Sequence, residues 1–436
     1  MTKTLLFKKL GGISFSILAI LSVLGAFWPT NHPSGDPGAP ADIAWLLTAT
    51  ALVLLMTPGL SYFYGGMVNK KNIISTLLQS FIALGVISVI WYVVGFSLAF
   101  GDSFGGLIGN PLTFLFFDNV GSSQHPEIGT GIPLILFAAF QLKFAIITPA
   151  LITGAFAERV RFWAYLLFMV LFSLLIYTPL AHWTWHPEGF LFKMGVLDFA
   201  GGTVVHISAG IAALVGAYIL GPRKISENNG SNIHIPYVLL GTGLLWFGWF
   251  GFNAGSALGA NEVAVMAFFN TNIASAAAML AWILLDAYRG KKPSALGACI
   301  GAVVGLVAIT PAAGFVLPGP SFLIGVIAAV VSNFAVSRAE RMRIDDTLDV
   351  FACHGLGGIV GMLLTAVFAV EEEGGLIATG NFDLLINHLI GLVIVVVFVT
   401  IGSFIVYKVT DAIIPLRVKE EHEKLGLDRS QHDEQF

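Results

Sequence analysis

The sequence contains little charge and almost no cysteine. Of its 436 residues, 11% are charged, 56% are hydrophobic and two are cysteine. A soluble domain carries about 25% charged residues, so this composition excludes an ordinary soluble protein and indicates one that crosses a membrane several times. Cys299 and Cys353 lie in separate apolar runs, which excludes a disulfide framework and a cysteine-based metal site. The net charge of −4 gives no reason to expect nucleic-acid binding.

Long apolar runs fill most of the chain after residue 41 and predict eleven membrane-spanning helices, numbered here as spans 1 to 11. A helix needs about 20 apolar residues to cross a bilayer, and membrane helices tolerate internal Gly and Pro. The predicted fold class is therefore an all-α polytopic membrane protein. The runs are 43–65, 73–100, 132–156, 162–181, 201–220, 236–252, 263–288, 296–310, 322–336, 350–370 and 384–407.

Residues 1–41 are interpreted as a signal peptide followed by an extracytoplasmic segment. Three lysines precede an apolar run over residues 11–27, and four prolines follow between residues 29 and 40. That order is typical of a secretory signal, and the Pro/Gly stretch would suit a flexible new N-terminus. An uncleaved additional span is the alternative. The chain then divides into a membrane domain, 42–410, and a cytoplasmic tail, 411–436.

The basic residues of the connectors predict the orientation. If alternate connectors are cytoplasmic, that side and the tail carry seventeen Lys and Arg residues, Arg341 and Arg343 among them, and the opposite connectors carry only Lys193. By the positive-inside rule, the C-terminus lies in the cytoplasm and the mature N-terminus lies outside. An odd number of spans places spans 1–5 and 6–10 in opposite orientations, as an inverted repeat requires. Span 11 lies outside the repeat.

Two histidines occupy corresponding positions in the predicted halves. His206 lies in span 5 and His354 in span 10; each follows an aspartate, Asp198 or Asp349, and each begins the pattern His-x-x-x-Gly-Ile. An ionisable group at membrane depth is costly and needs a cavity or a partner. A facing pair of histidines can hold or relay a proton. Asp198 is predicted to accept hydrogen bonds from the free N–H groups that start span 5.

Other interpretations of the histidines remain open at this stage. Each histidine could be satisfied separately in the core by its own helix contacts. A zinc site is disfavoured because no His-Glu-x-x-His pattern is present, and because Cys353 and His354, as neighbours on a helix, point about 100° apart. We therefore expect neither a metal ion nor a cofactor.

Aromatic residues near the outer ends of spans 3, 4 and 6 form a second candidate group. Phe140 and Phe144 lie four residues apart, on one helix face. Trp185 lies at a level where its ring could stack on a cation. In the run 248–256, glycines alternate with aromatic residues, and the run ends at Ser256. Interfacial anchoring and close helix packing are the alternatives.

Four motifs resemble those of the ammonium transporter (Amt) family, in order and over nearly the whole chain after residue 41. They are FQLKFAIITPALITGAFAERVRF at 140–162, DFAGGTVVH at 198–206, GWFGFNAGS at 248–256 and DDTLDVFACHG at 345–355. The resemblance implies a transporter of ammonium or methylammonium rather than an enzyme. It further implies that 42–410 is an ammonium transporter domain, that the chain forms a homotrimer in the bilayer of the inner cell membrane, and that each subunit contains its own pore.

The resemblance also implies roles for residues at the outer mouth of the pore. Phe144, Trp185 and Ser256 would form the outer ammonium-binding site. Phe140 would be an accessory aromatic residue near that site. Asp198 would support the site without touching the ion.

Deeper in the pore, the resemblance implies a gate and a proton site. Phe144 and Phe252 would form a gate of stacked phenyl rings. His206 and His354 would be the paired pore histidines. On the cytoplasmic side, the tail over residues 411–436 would pack under neighbouring subunits, and a PII-type nitrogen regulatory protein would close the pore exit. A solvated tail is the alternative.

Three competing functions were weighed against transport. A passive gas or water channel is disfavoured because paired Asn-Pro-Ala motifs are absent, with only Asn110-Pro-Leu in a loop. An ammonium sensor signalling to a cytoplasmic partner is disfavoured because no signalling domain follows Tyr407. An enzyme is disfavoured because no nucleophile–base or metal set is visible. Selective ammonium transport remains the predicted function.

Overall fold

The computed structural model describes residues 3–224, 233–339 and 344–436; Arg341 and Arg343 therefore lie outside the described residues. Within these ranges, eleven helices are long and apolar enough to cross a membrane. The chain is a multi-pass membrane protein, and the predicted all-α fold class is confirmed. One detail differs. The eleven include the N-terminal helix Lys9–Phe27, whereas Ala295–Ile309, predicted as span 8, is shorter than the others.

The eleven spans keep their numbers, with bounds that differ from the sequence estimates mainly by longer ends. They are Pro40–Gly65, Lys70–Phe100, Leu134–Phe156, Phe162–Lys193, Gly202–Leu220, Ile235–Gly255, Glu262–Tyr288, Ala295–Ile309, Pro318–Arg338, Phe351–Phe368 and Asp383–Ile413. Outside them, a helix covers Lys3–Phe27, and a small antiparallel sheet pairs Ser103–Phe104 with Ile108–Gly109. The remaining short helical turns are Leu115–Phe117, Glu371–Glu373, Leu376–Thr379, Glu420–Leu425 and Asp428–His432.

Four spans contain a π-helical turn, in which the hydrogen bonds reach one residue further than in an α-helix. Such turns are rare in proteins overall, and those that do occur are often found at functional sites. Two of them, Trp91–Gly95 and Ser173–Tyr177, interrupt spans 2 and 4. The other two, Gly202–Ile207 and Phe351–Gly355, begin spans 5 and 10. These last two turns contain the two histidines predicted from the sequence, so local backbone irregularity coincides with the candidate site.

Spans 1 and 6 approach each other closely because glycine lies between them. A Cβ atom added at Gly248 would lie 2.3 Å from the Cγ of Met56, and one added at Gly251 would lie 2.7 Å from the carbonyl oxygen of Ala49. Neither distance is compatible with a larger side chain. The glycines of the 248–256 run therefore serve close helix packing, while Phe252 of the same run is buried in the core.

The segment after the N-terminal helix is held against the outer loop between spans 2 and 3. We call residues 29–38 the outer strap. The Asn31 N–H donates to Oδ1 of Asp118 at 2.7 Å, the Asn119 N–H donates to the Asn31 carbonyl at 2.8 Å, and the Gln124 N–H donates to the Asp36 carbonyl at 3.1 Å. In the uncleaved chain, these residues are therefore held by hydrogen bonds; flexibility of a new N-terminus after cleavage stays a prediction. Cleavage of the preceding helix stays a prediction.

The C-terminal tail is docked on its own chain. Asp428 accepts hydrogen bonds from the N–H groups of Ile74 and Ser75, at 3.1 and 2.7 Å. Arg417 donates to the carbonyl of Leu220 at 2.6 Å. These contacts tie the tail to the start of span 2 and the end of span 5, so a fully solvated tail is not what the structure shows.

A buried arginine joins three of the connectors between spans, at the end of the bundle where the tail docks. Arg159 is 0% exposed. Burial lowers the pKa of its guanidinium to about 10, partly offset by Asp345, so the group remains protonated at neutral pH. It donates to the carbonyls of Ala155, Ala157, Gly221 and Asp345 and to the hydroxyl of Thr347. One side chain thereby connects the ends of spans 3 and 5 to the segment that leads into span 10.

Replacing Arg159 with Lys should lower the thermal stability of the protein. A lysine has three donors on one nitrogen and cannot reach five acceptors in this fork geometry, and each buried polar group left unpaired costs about 1–3 kcal/mol. The measurement is the apparent unfolding temperature in detergent. Arg161→Lys is the matched control, because Arg161 lies in the same connector and is only half-buried. An equal decrease in both variants would contradict the structural role of Arg159.

Candidate functional site

The two histidines lie in contact inside the bundle. Nδ1 of His354 lies 3.3 Å from Nδ1 of His206, and the ring centroids are 5.4 Å apart with the planes at 23°. His354 is 3% exposed and His206 is 1% exposed. In a hydrogen bond between two Nδ1 atoms, one ring donates and the other accepts, so the neutral pair contains two different tautomers. The structure thus brings the rings together rather than placing each in its own helix contact.

Asp198 organises the turn that carries His206. Its Oδ1 accepts hydrogen bonds from the N–H groups of Gly201 and Gly202, at 2.8 and 2.6 Å, and its Oδ2 accepts from that of Thr203 at 2.7 Å. The first N–H groups of a helix have no partner within it, and the carboxylate supplies one. Gly201 has φ of +114°, a conformation that glycine adopts readily and other residues rarely do. The capped π-turn then leads directly to the histidine.

The second half uses the same device with Asp346. This residue precedes its histidine by eight positions, as Asp198 precedes its own. Oδ2 of Asp346 accepts from the N–H of Phe351 at 2.7 Å, five residues on, as Oδ2 of Asp198 accepts from Thr203. Burial raises the pKa of Asp346 to about 6. The hydrogen bonds from backbone N–H groups act in the opposite direction and offset part of the effect of burial.

Asp349, which the sequence paired with Asp198, occupies a different position in the turn. It has φ of +55°, five residues before its histidine, where the first half has Gly201. The sequence pairing of Asp198 with Asp349 is therefore wrong. The equivalent of Asp198 is Asp346, and Asp349 is the equivalent of a glycine.

A stack of phenyl rings lies beside the histidines, on the side of Trp185 and Ser256. The rings of Phe144 and Phe252 are 4.1 Å apart and stacked, and both residues are buried. The ring of Phe252 lies 6.1 Å from that of His206. Phe140 contacts Phe144 edge-on, at 5.0 Å. The rings thus form a continuous series of contacts from His206 through Phe252 and Phe144 to Phe140.

Trp185 and Ser256 adjoin this stack and are half-buried. The Trp185 ring lies 5.8 Å from that of Phe144, and its Nε1–H donates to the carbonyl of Asp198 at 3.1 Å. The Ser256 hydroxyl donates to the carbonyl of Phe252 at 2.8 Å. Because the hydroxyl hydrogen is used, the oxygen of Ser256 remains able to accept a hydrogen bond from an N–H group of a ligand.

A narrow apolar cavity surrounds the histidine pair. Its volume is about 10 Å³, counted as space open to the centre of a water molecule, which is about enough for one such molecule. Nε2 of His206 is buried and has no hydrogen-bond partner among the described residues, so a small polar molecule in the cavity would satisfy it. The lining residues are Met56, Leu60, Phe63, Ile147, Leu151, Val205, His206, Leu245, Trp249, Phe252, Val303 and His354.

A second small cavity continues the path beyond His354. Phe63, Val303 and His354 line both cavities, so the two adjoin at the histidine. Cys353 contributes to the lining of the second cavity. Within the part of the chain that the structure describes, no group of three or more His, Cys, Asp or Glu side chains could hold a metal ion.

Sequence reasoning missed Trp249. Its ring stacks on His206, with centroids 5.4 Å apart and planes at 17°, and its Nε1–H donates to the hydroxyl of Thr310 at 2.9 Å. The sequence did contain one indication of its role: Trp249 precedes Phe252 by three residues, which places both side chains on one face of span 6. Val303 of span 8 gave no signal, because a valine in an apolar run is unremarkable.

Comparison with known proteins places these features in a family. Residues 44–436 match the model of the Ammonium Transporter Family. An ammonium transporter of Aquifex aeolicus is 46% identical over 419 residues, which cover 95% of this chain and 97% of that relative. An ammonium transporter of Bacillus subtilis is 46% identical over 399 residues, covering 90% and 97%.

Solved structures show the same similarity. The crystal structure of Saccharomyces cerevisiae Mep2 matches with a TM-score of 0.82 and 35% identity, covering 90% of this chain and 96% of that one. A structure named Sensor Amt Protein matches with a TM-score of 0.82 and 30% identity, covering 90% and 98%.

Proposed function

Because the chain belongs to the ammonium transporter family, we propose that it moves ammonium selectively across the inner cell membrane. The observation that carries the mechanism is the contact between His206 and His354 in an apolar cavity behind stacked phenyl rings. The relatives are named as transporters, a class without enzymatic activity. The C-terminus is proposed to lie in the cytoplasm, as the basic connectors indicate.

Selectivity begins at the outer aromatic residues. Ammonium and potassium have similar radii, so a charged opening alone would not distinguish them. The faces of Phe144 and Trp185 attract a cation with about 0.5–2 kcal/mol each, and Phe140 extends this aromatic surface. The oxygen of Ser256 accepts a hydrogen bond from an N–H group, which potassium does not possess.

The phenyl stack then discriminates by charge. Moving an ion out of water into an apolar passage costs many kcal/mol unless it is paired, and the closed stack of Phe144 and Phe252 offers no pairing group. A neutral ammonia molecule carries no such cost. Ammonium therefore gives its proton to solvent water on the outer side of the gate, and the molecule passes the stack as ammonia.

Behind the gate, the histidine pair can hold or relay a proton. His206 and His354 share a hydrogen bond, so a proton gained by one ring alters the proton affinity of the other, and the pair titrates as a unit. The unpartnered Nε2 of His206 is buried beside the cavity, where it can bind ammonia or accept a proton. Trp249 stacks on this ring and fixes its orientation.

The assembly is proposed to be a homotrimer with one pore in each subunit, regulated at the cytoplasmic exit by a PII-type protein. Large apolar side chains on span 7, such as Val265 and Phe269, are exposed on the single chain and would face lipid or a neighbouring subunit. The docked tail lies beside the cytoplasmic ends of spans 2 and 5, where a soluble partner could displace it.

A sensing role is the alternative function. One solved structure similar to this chain carries the name Sensor Amt Protein. A sensor would bind ammonium at the same outer residues and pass the signal to a cytoplasmic partner. Flux measurements separate the two functions, because a sensor need not move its ligand.

Purified protein in liposomes should carry ammonium or methylammonium and not potassium. The measurement is the current or flux driven by a gradient of each ion, with empty liposomes as the control. Equal flux of the two ions would contradict selective transport. Binding of ammonium without any flux would favour the sensing role.

Replacing either pore histidine should remove selective transport. His206→Ala or His354→Ala deletes one half of the shared hydrogen bond, so we expect loss of flux or a leak that no longer distinguishes ammonium from potassium. The control is Cys353→Ala, which alters a neighbouring lining residue and should keep selectivity. Selective transport at the parental rate in the double histidine variant would show that the pair is not required.

Replacing Trp185 with Leu or Ser256 with Ala should raise the half-saturation concentration more than it lowers the maximal rate. Loss of a cation–aromatic contact of about 0.5–2 kcal/mol weakens binding by about two- to thirtyfold. Trp183→Leu is the matched control for tryptophan. Its Nε1–H donates to the Leu107 carbonyl, and its ring packs on Phe398. Unchanged half-saturation in both variants would exclude an outer binding role.

Truncation of the tail after Ile414, just beyond the end of span 11, should reduce transport without removing the pore. The cut deletes the contacts of Arg417 and Asp428 with the cytoplasmic ends of spans 5 and 2. Flux and pull-down with a PII-type protein are the measurements, and both should weaken. Parental flux together with equal binding of the regulator would show that the tail has neither role.

A further inference from the structure

One buried histidine outside the pore connects span 11 to the outer site. His388 is 0% exposed. Its Nε2 accepts a hydrogen bond from the N–H of Leu197 at 3.0 Å, and its Nδ1 lies 2.8 Å from the carbonyl oxygen of Met362. An amide N–H can only donate and a carbonyl can only accept. The two bonds therefore require a neutral ring with its hydrogen on Nδ1.

The backbone that His388 holds is the one that positions Trp185. Leu197 directly precedes Asp198, whose carbonyl accepts the indole N–H of Trp185 and whose carboxylate caps span 5. The next residue, Phe199, donates its N–H to the carbonyl of Pro311 at 3.1 Å. Three consecutive residues are thus each fixed by a separate hydrogen-bond partner, and His388 provides the first.

Span 11 approaches this connector closely at the same level. Gly391 lies three residues after His388, on the same helix face. A Cβ atom added at Gly391 would lie 3.1 Å from the side chain of Val196, the residue before Leu197. The other partner of the histidine, Met362, belongs to span 10. His388 therefore holds the outer connector at a fixed position relative to a span that carries a pore histidine.

We propose that His388 is a positioning residue for ammonium recruitment: it holds the Val196–Leu197 peptide, and through the next residue, Asp198, the ring of Trp185, in the geometry that binds the ion. The inference rests on the proposed function of Trp185. Without the imidazole, the Leu197 N–H is left buried and unpaired, and the Met362 carbonyl, which lies within the helix of span 10, loses its side-chain donor; the connector then shifts to find another acceptor. His388 itself touches neither ammonium nor the pore cavity.

Two substitutions separate hydrogen bonding from packing. Leucine fills the space of His388 but makes neither bond, whereas glutamine offers one acceptor and one donor and can replace both. We expect His388→Leu to raise the half-saturation concentration about fivefold or more, as loss of a buried hydrogen bond implies, with little change in maximal rate. His388→Gln should restore parental half-saturation. Ser403→Ala is the control, because it removes a buried hydroxyl that bonds within span 11, to Val399.

A double variant tests whether the effect passes through Trp185. If it does, adding His388→Leu to Trp185→Leu should raise half-saturation no further, since the ring that depends on the connector is already absent. An additive increase would overturn the proposal, as would parental half-saturation in His388→Leu alone.

Hydrogen exchange provides a measurement that does not depend on transport. The amides of Leu197 and of residues 201–203 should exchange faster in His388→Leu than in the parent and at the parental rate in His388→Gln. Unchanged exchange in the leucine variant would overturn the positioning role even if transport changed. If the parent moves no ammonium, or Trp185→Leu leaves its half-saturation unchanged, the proposed function fails, and the exchange rates alone decide whether His388 holds the connector.

Discussion

A carboxylate facing unpaired N–H groups at the start of a buried helix is the interaction on which the site depends. In a membrane interior these N–H groups have no water to bond, so they need an internal acceptor. Asp198 provides it with both oxygens, while its own carbonyl accepts the indole of Trp185. The position of the outer aromatic ring and the start of the helix that carries His206 are consequently set by one residue. Neither can shift without breaking bonds that nothing else nearby replaces.

The same constraint operates in the other half with different residues. Asp346 caps the turn that begins span 10 as Asp198 caps that of span 5, and each histidine follows its aspartate by the same number of residues. Two helices that start in the same way deliver their histidines at the same depth, where the rings meet. The contact between the rings thus results from repeated local geometry in addition to the packing of the surrounding spans.

The sequence allowed the fold class to be predicted because bilayer thickness and apolar run length are tied by simple physics. The histidines could also be predicted, since an ionisable residue stands out in an apolar run. The role of Asp346 could not, because three aspartates lie within five residues, and they are distinguished by the hydrogen bond from the Phe351 N–H to Asp346 and by the backbone conformation at Asp349. His388 gave no pattern, since its span has no counterpart in the repeat and its partners are backbone groups distant in the chain.

The outer strap has a consequence for reagents that recognise this face of the protein. Its hydrogen bonds join residues 31–36 to the loop over residues 118–124, so the two segments present one continuous epitope although more than 80 positions separate them in the chain. An antibody raised against the intact face would recognise this composite surface and not either peptide alone. Such an antibody would report whether residues 29–38 are seated on this loop, without entering the pore.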